Sequence, residues 1–326
     1  MKPTTFRAAL MAAFLLAHGL SAPAAAQQWP SKPVKMVVAL GAGSTPDIIC
    51  RIITERLSRS LGQQFVVENR PGAGSIIAAQ TVMRADPDGY TFLFGTAGTM
   101  ISNVYTVKNL PYDPDKDFII VSPVARGPMM VVANPGVPAA SFADLLALAK
   151  KTPGALNFAT DGPRNLSGMI AAWINKSAGV EIPQVPYATM PQGVQDALSG
   201  RIQLAIIAIP TAAPLIADGK LRALAVSSRE RIPGYEKVPA IAETLPGFEL
   251  FGWLLIAAPA GTPQEIVARM NREVGLVLDD KEFATRLAET GFYSFGALNE
   301  PAVADLMKRE HAMFKKVVED IGLQPQ

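Results

Sequence analysis

The sequence predicts a two-lobed α/β protein whose sheets are covered by helices on both faces. Three observations carry that expectation. Short apolar runs alternate with amphipathic stretches along most of the chain, the pattern of strand–helix–strand units. The runs are nearly continuous in Val, Ile, Leu and Ala, as strands buried on both faces require. At 326 residues the chain also exceeds what one hydrophobic core usually supports.

Residues 34–40 read as the first strand and run into Gly41, Ala42, Gly43, Ser44 and Thr45. Pro46 suits a first helical turn, where its missing N–H costs nothing, with Thr45 as the expected cap and Gly62 as the stop. Residues 65–68 are the second strand, followed by a Gly-rich turn over 70–74 and a helix capped by Ser75. Residues 90–94 are the third, ending in the Gly/Thr loop 95–99. The second half repeats the scheme: strands over 156–159, 184–187, 202–208 and 221–226, with helices over about 166–178, 192–198 and 210–217. Residues 129–133 read as extended and, with the turn 134–138, suggest one crossing between lobes; the aromatic-rich stretch 248–258 is the return. Helices over 263–278, 281–289 and 300–321 close the chain. The expected division is a first lobe of 27–126 and 251–326 around a second lobe of 127–250, with parallel sheets in both.

The first 26 residues are set apart. Lys2 and Arg7 form a basic start, residues 8–20 an apolar run, and Ala24-Ala25-Ala26 a small-residue cleavage site, the three parts of an export signal. The apolar run is too short for a spanning helix, and no Cys follows it to carry a lipid. The mature chain is therefore expected to begin at Gln27 as a free periplasmic protein.

Composition excludes several classes of chemistry. Removing Lys2 and Arg7 leaves 28 basic residues against 28 acidic ones, so no electrostatic footprint for nucleic acid or an anionic membrane remains. Cys50 is the only cysteine, so no internal disulfide forms, and its setting among Ile48, Ile49, Ile52 and Ile53 predicts a buried, inert thiol. Of two histidines, His18 leaves with the signal and His311 sits in a charged helix where a solvated ring is expected. No metal set and no nucleophile–histidine pair can be assembled, so neither metal nor cofactor is expected. Gly41-Ala42-Gly43 and Gly72-Ala73-Gly74 lack the third glycine of a dinucleotide fingerprint and the Lys of a phosphate loop. A carboxylate pair, Asp47 with Asp161, would need the aromatic lining of a sugar site, in a chain with 7% aromatics. No enzyme is expected.

The loops that remain are informative together. Loops 41–46, 70–75, 95–99, 160–167 and 187–191 all follow strands, and loops at the carboxyl ends of parallel strands line the ligand crevice of such folds. They are rich in Gly, Ser and Thr, and each precedes a helix whose first N–H groups are unpaired and partly positive. Turn and cap requirements explain any one loop. Five facing one another across two lobes predict an anion site built from backbone dipoles and hydroxyls.

The motifs also carry a resemblance. Trp29-Pro30, Lys32-Pro33-Val34, Gly43, Asp47 and Arg51 open it; 67–74 (Val-Glu-Asn-Arg-Pro-Gly-Ala-Gly), Pro87-Asp88-Gly89-Tyr90 and Gly95-Thr96 with Gly98-Thr99 continue it. Leu110-Pro111-Tyr112-Asp113-Pro114, Lys116-Asp117-Phe118, Val185-Pro186-Tyr187, 221–226 and Ala258-Pro259-Ala260-Gly261-Thr262-Pro263 complete it. In this order, over the whole mature chain, they resemble the substrate receptors of tripartite tricarboxylate transporters, the TctC or Bordetella uptake gene (Bug) family. The resemblance implies a type II periplasmic-binding-protein fold, two lobes closing on a carboxylate, and a monomer that delivers it to the permease subunits of such a transporter. A ligand-presenting role toward a membrane sensor kinase would need the same pocket. The positions the resemblance assigns to ligand binding are Leu40, Gly43, Ser44, Asp47, Thr96 and Thr99, then Gly162, Arg164, Asn165, Ser167 and Tyr187. Departures from the family pattern are Ala39-Leu40 for Pro-Phe, Ser44 for a Gly, Arg164 for a Gly, Gly168 for a His, Ala188-Thr189 for Lys-Gly, and Ile207 for an Asp. They imply a less polar cleft with one added cation, favouring a carboxylate with an apolar or aromatic body over citrate-like ligands.

Overall fold

A computed structural model describes residues 29–187 and 190–325. The expected export signal, and Ala188-Thr189, lie outside them. β1 (Val34–Val38) opens a ten-stranded mixed sheet. Its alternation sends Met36 and Val38 into one core and Val37 into another. The helix α1 (Thr45–Leu61) follows, placing Ile49, Ile53 and Leu57 on one buried face at helical spacing. Ser44, not Thr45, is its cap: the Ser44 hydroxyl accepts from the Asp47 N–H at 3.4 Å, and Pro46 fills the first turn. Gly62, at φ +68°, ends it in a left-handed turn that a Cβ would disfavour.

β2 (Phe65–Asn69) and β3 (Thr91–Thr96) flank β1 in parallel, with α2 (Ile76–Met83) between them in sequence. β4 (Phe118–Ala133) then runs for sixteen residues through both halves of the sheet. Its first part pairs with β9 (Phe251–Pro259), and its last residues pair with β7 (Leu204–Ala208) on one side and β8 (Arg222–Val226) on the other. The second half contains α3 (Phe142–Lys151), β5 (Phe158–Thr160), α4 (Leu166–Ala178), β6 (Gln184–Pro186), α5 (Met190–Leu198) and α6 (Ile209–Ala217). α7 (Gln264–Leu278), α8 (Lys281–Glu289), the short β10 (Tyr293–Ser294) beside β4, and α9 (Glu300–Ile321) finish the described chain.

One expectation needs correction here. The sheet is parallel only within β2-β1-β3 and within β6-β5-β7, because β4 and β9 run antiparallel to their neighbours. Residues 118–128 of β4 pair with β9 and residues 129–133 with β7 and β8, so one strand serves both halves of the sheet, and the turn at 134–138 follows it. The sequence marked only residues 129–133 as extended; pairing with β9 carries the strand back to Phe118, through Pro123 and Pro128.

One core runs under both halves on one face: Val37, Leu93 and Leu255 share it with Phe158, Ile170, Leu204 and with Phe314 and Val317 of α9. Trp173 stacks on Phe248 at 4.3 Å, tying α4 to the return segment, and its indole donates to Asp320 of α9 at 3.2 Å. α9 thus braces the two halves. The opposite faces have separate cores, one under α1 and α7 and one under α5 and α6. Cys50 is fully buried in the former, and burial pushes its thiol well above the ordinary range, as an inert cysteine requires.

Candidate ligand site at the strand ends

Register places the loops. Thr96, ending β3, lies opposite Leu254, which lies opposite Ala125 of β4. Ala208, ending β7, lies opposite Met129 of β4. The carboxyl ends of both parallel sets therefore run toward one short stretch of β4, between Ala125 and Met129. Gly127 and Gly252 are paired within that stretch, and Ser227 joins Leu250 and Met129 beside it through bonds of 3.0 and 2.9 Å.

Around β1 the loop is set by Asp47, which is 2% exposed. Its Oδ2 accepts from the Gly43 N–H at 2.9 Å and the Arg51 Nε at 3.1 Å, and its Oδ1 accepts from Asn69 Nδ2 at 2.9 Å. The same Asn69 amide donates to the Leu40 carbonyl at 3.0 Å, and its Oδ1 accepts from Arg51 at 3.3 Å. Burial pushes the Asp47 carboxyl up, but the bonds from Arg51, Gly43 and Asn69 together hold it below the usual range. Each carboxylate oxygen of Asp47 is thus occupied by the protein. Asp47 holds Gly43 and Ser44 directly and reaches the Leu40 carbonyl through Asn69. Gly43 turns at φ +78° to allow it. Asn69 was not among the expected site residues, because its link to Asp47 spans the β1–β2 pairing.

Thr96 and Thr99 bind each other. The Thr96 N–H donates to the Thr99 hydroxyl at 3.1 Å, and the two hydroxyls lie 3.3 Å apart. Thr99 is wholly buried, so Thr96 is the more accessible of the pair.

In the second half, Ser167 is buried and donates to Asp161 Oδ1, while accepting from the Asp161 N–H at 2.9 Å. Asn165 caps α4 by position only: its amide donates to the Asp161 carbonyl at 2.6 Å. Burial pushes the Asp161 carboxyl above its ordinary range, against the bond from Ser167. Gly162, at φ +117°, could not carry a Cβ without strain, and Gly168 is needed for a different reason. A Cβ there would lie 2.0 Å from the Gly162 carbonyl oxygen. Gly168 therefore lets the backbone at Gly162 and Pro163 pack directly on the first turn of α4.

Two expected contacts point elsewhere. The Arg164 guanidinium donates to the Gln324 carbonyl at 3.1 Å, in the segment after α9. The Tyr187 hydroxyl donates to Asp196 Oδ2 at 2.7 Å. His311 is also unlike its expectation of a solvated ring: it is half-buried against Tyr105, and burial lowers its ring pKa. Among the described residues no cluster of His, Cys, Asp and Glu could hold a metal ion.

Comparison with known proteins decides the family. The description "Tripartite tricarboxylate transporter family receptor" matches residues 49–323. The chain belongs to that family. It is a family of substrate-binding receptors, not enzymes. A UPF0065 protein of Bordetella bronchiseptica is 36% identical over 320 residues, covering 98% of this chain and 94% of its own. Among solved structures, R. palustris Rpa4515 with adipate superposes at a TM-score of 0.79 with 34% identity, covering 91% of this chain and all of that one. MatC from Rhodopseudomonas palustris with bound malate superposes at 0.71 with 30% identity, covering 89% of this chain and 100% of its own. At those identities the type II periplasmic-binding-protein fold is shared. Both of those proteins hold a small dicarboxylate.

Proposed function

We propose that the mature TctC-family chain is a periplasmic receptor, monomeric, that captures a small organic acid and hands it to the permease subunits of a tripartite tricarboxylate transporter. The observation that carries this reading is the register: both sets of parallel strands end on the same short stretch of β4. Loops from each half then flank one cleft. Residues 27–126 and 251–326 make one lobe and 127–250 the other, and the strand pair at Gly127 and Gly252 is where they bend. Leu40, Gly43, Ser44, Thr96 and Thr99 serve from the first lobe, Gly162, Asn165, Ser167 and Tyr187 from the second. Asp47 acts behind them. Helix N-termini and loop N–H groups supply the positive potential. Arg164 adds a charge-assisted bond to a ligand carboxylate. Adipate, whose carboxylates are joined by an apolar chain, fits a cleft with Leu40 at its mouth better than a hydroxylated tricarboxylate. A cleaved export signal over 1–26 brings the chain to its compartment.

The test is direct. A small molecule released by denaturing protein purified from its native host is identified by mass spectrometry, and its affinity is measured with adipate and malate beside it. Ligand at a hundred times its dissociation constant adds roughly 2.7 kcal/mol of stability, and the scattering radius shrinks as the lobes close. A full carboxylate panel that moves neither the melting temperature nor the radius refutes the reading.

A further inference from the structure

We propose that Asn103 and Tyr112 are positioning residues that hold the loop ahead of α2 in a left-handed conformation, and that this conformation is the ligand-competent one. The second clause rests on the cleft reading above; the first stands on geometry alone.

Three consecutive residues, Ala73, Gly74 and Ser75, have φ of 46°, 62° and 73°. Only Gly74 does so without a Cβ penalty, and a left-handed Ala or Ser persists where its surroundings impose it. The imposing group is Asn103, 7% exposed, in the helical segment that runs from a π turn over Gly98–Ser102 into Asn103–Thr106. Its Nδ2 donates to the Gly74 carbonyl at 2.9 Å and to the Tyr112 hydroxyl at 3.2 Å. That hydroxyl, itself buried, donates to the Thr99 carbonyl at 2.6 Å. Tyr112 is in turn held edge-on to Phe118 at 5.9 Å. One buried chain of hydrogen bonds thus runs from the loop after β2 to the loop after β3, and sets both against the same edge. On the other side the Ser75 hydroxyl donates to the Ala39 carbonyl at 3.4 Å. Ser75 therefore makes no side-chain cap bond to α2, and the first N–H groups of that helix keep no side-chain acceptor. The conformation costs the loop its backbone preference and the helix its cap, a combination that a plain connection would not retain.

The test uses Asn103→Ala, Tyr112→Phe and the double variant Asn103→Ala with Ala73→Gly. Amide hydrogen exchange over 72–76 and crystal structures read the loop; calorimetry with adipate and malate reads binding. Asn103→Ala is expected to speed exchange at Gly74 and Ser75 more than about tenfold, to return φ at Ala73 to negative values, and to weaken adipate about tenfold. Ala73→Gly in that background recovers several-fold of the loss, because glycine enters the left-handed region freely. A structural role without positioning gives no such rescue. If Asn103→Ala does not fold, Tyr112→Phe, which removes one oxygen, carries the same readings. Unchanged exchange and φ in the variants overturn the clamp. A released loop with unchanged affinity overturns its link to binding. Failure of the unaltered protein to bind either acid counts against the ligand reading, and the exchange data still decide the clamp.

Discussion

Replacing Asp47 by Asn separates a residue that shapes the cleft from one that touches the ligand. The carboxylate accepts from Gly43, Arg51 and Asn69. The Arg51 side chain is 53% exposed, so that pair contributes only about 0.5 kcal/mol. The bonds from Gly43 and Asn69 are charge-assisted and shielded, each about 1.5 kcal/mol at the low end. An Asn side chain keeps one oxygen, so its NH2 must face one of these donors, and about 2–4 kcal/mol is lost in all. For a chain of this size that lowers the melting temperature by roughly 5–10 °C. The folded-state pKa of Asp47 is depressed, so its contribution is present above the ordinary Asp value and is lost as pH falls through the lower folded one. The gap between parent and variant therefore persists at neutral pH and closes only below the usual carboxylate range. Calorimetric melting at several pH values, with adipate titrations on both proteins, measures it. A positioning residue predicts weaker binding together with lower stability. Tighter binding in Asp47→Asn, at unchanged melting temperature, would show a carboxylate facing the bound acid and would refute the reasoning.

Gly168→Ala drives a Cβ to within 2.0 Å of the Gly162 carbonyl, so it should cost about 1–3 kcal/mol and weaken ligand binding; a variant with parental melting and affinity rules out the close approach. Arg164→Ala should weaken binding roughly tenfold, and Arg164→Lys should recover part of that, since an ammonium lacks the planar fork; affinities within about twofold assign anion capture to the backbone. Glu310 lies in α9 with its carboxyl pushed up to about 7 by burial and by Glu249, against a hydrogen bond from Trp253 and the charge of Arg309. Its folded-state pKa is raised, so the protonated acid stabilises the protein at low pH and that stability is lost as pH rises from the unfolded value toward 7. Glu310→Gln should therefore match the parent near pH 4 and exceed it by up to about 3 kcal/mol at pH 8; urea melts showing no pH-dependent gap would exclude a buried, repelled carboxyl.

The sequence by itself determined what depends on near neighbours. Pro46 and Gly62 bound α1 because the missing proline N–H and the left-handed stop are local requirements, whereas Ser44 replaced the neighbouring Thr45 as cap only in the folded chain. Cys50 was legible as buried because helical periodicity places it among isoleucines. The loops over 41–44, 70–75 and 161–165 were legible as strand-to-helix connections because an apolar run, then Gly, Ser or Asn, then a helical pattern is a local signal, and the ordered motifs named the family. Only the tertiary structure decided how those loops are held. β4 became one strand because β9, β7 and β8 supply its partners from far along the chain. Asn69 reaches Asp47, Asn103 reaches Gly74, and Arg164 reaches Gln324 across 22, 29 and 160 positions, and no local pattern records such pairings. A polar side chain in sequence shows what it can donate or accept; which partner it meets is fixed by strand register and helix packing, since a buried group must take whatever those bring within about 3 Å.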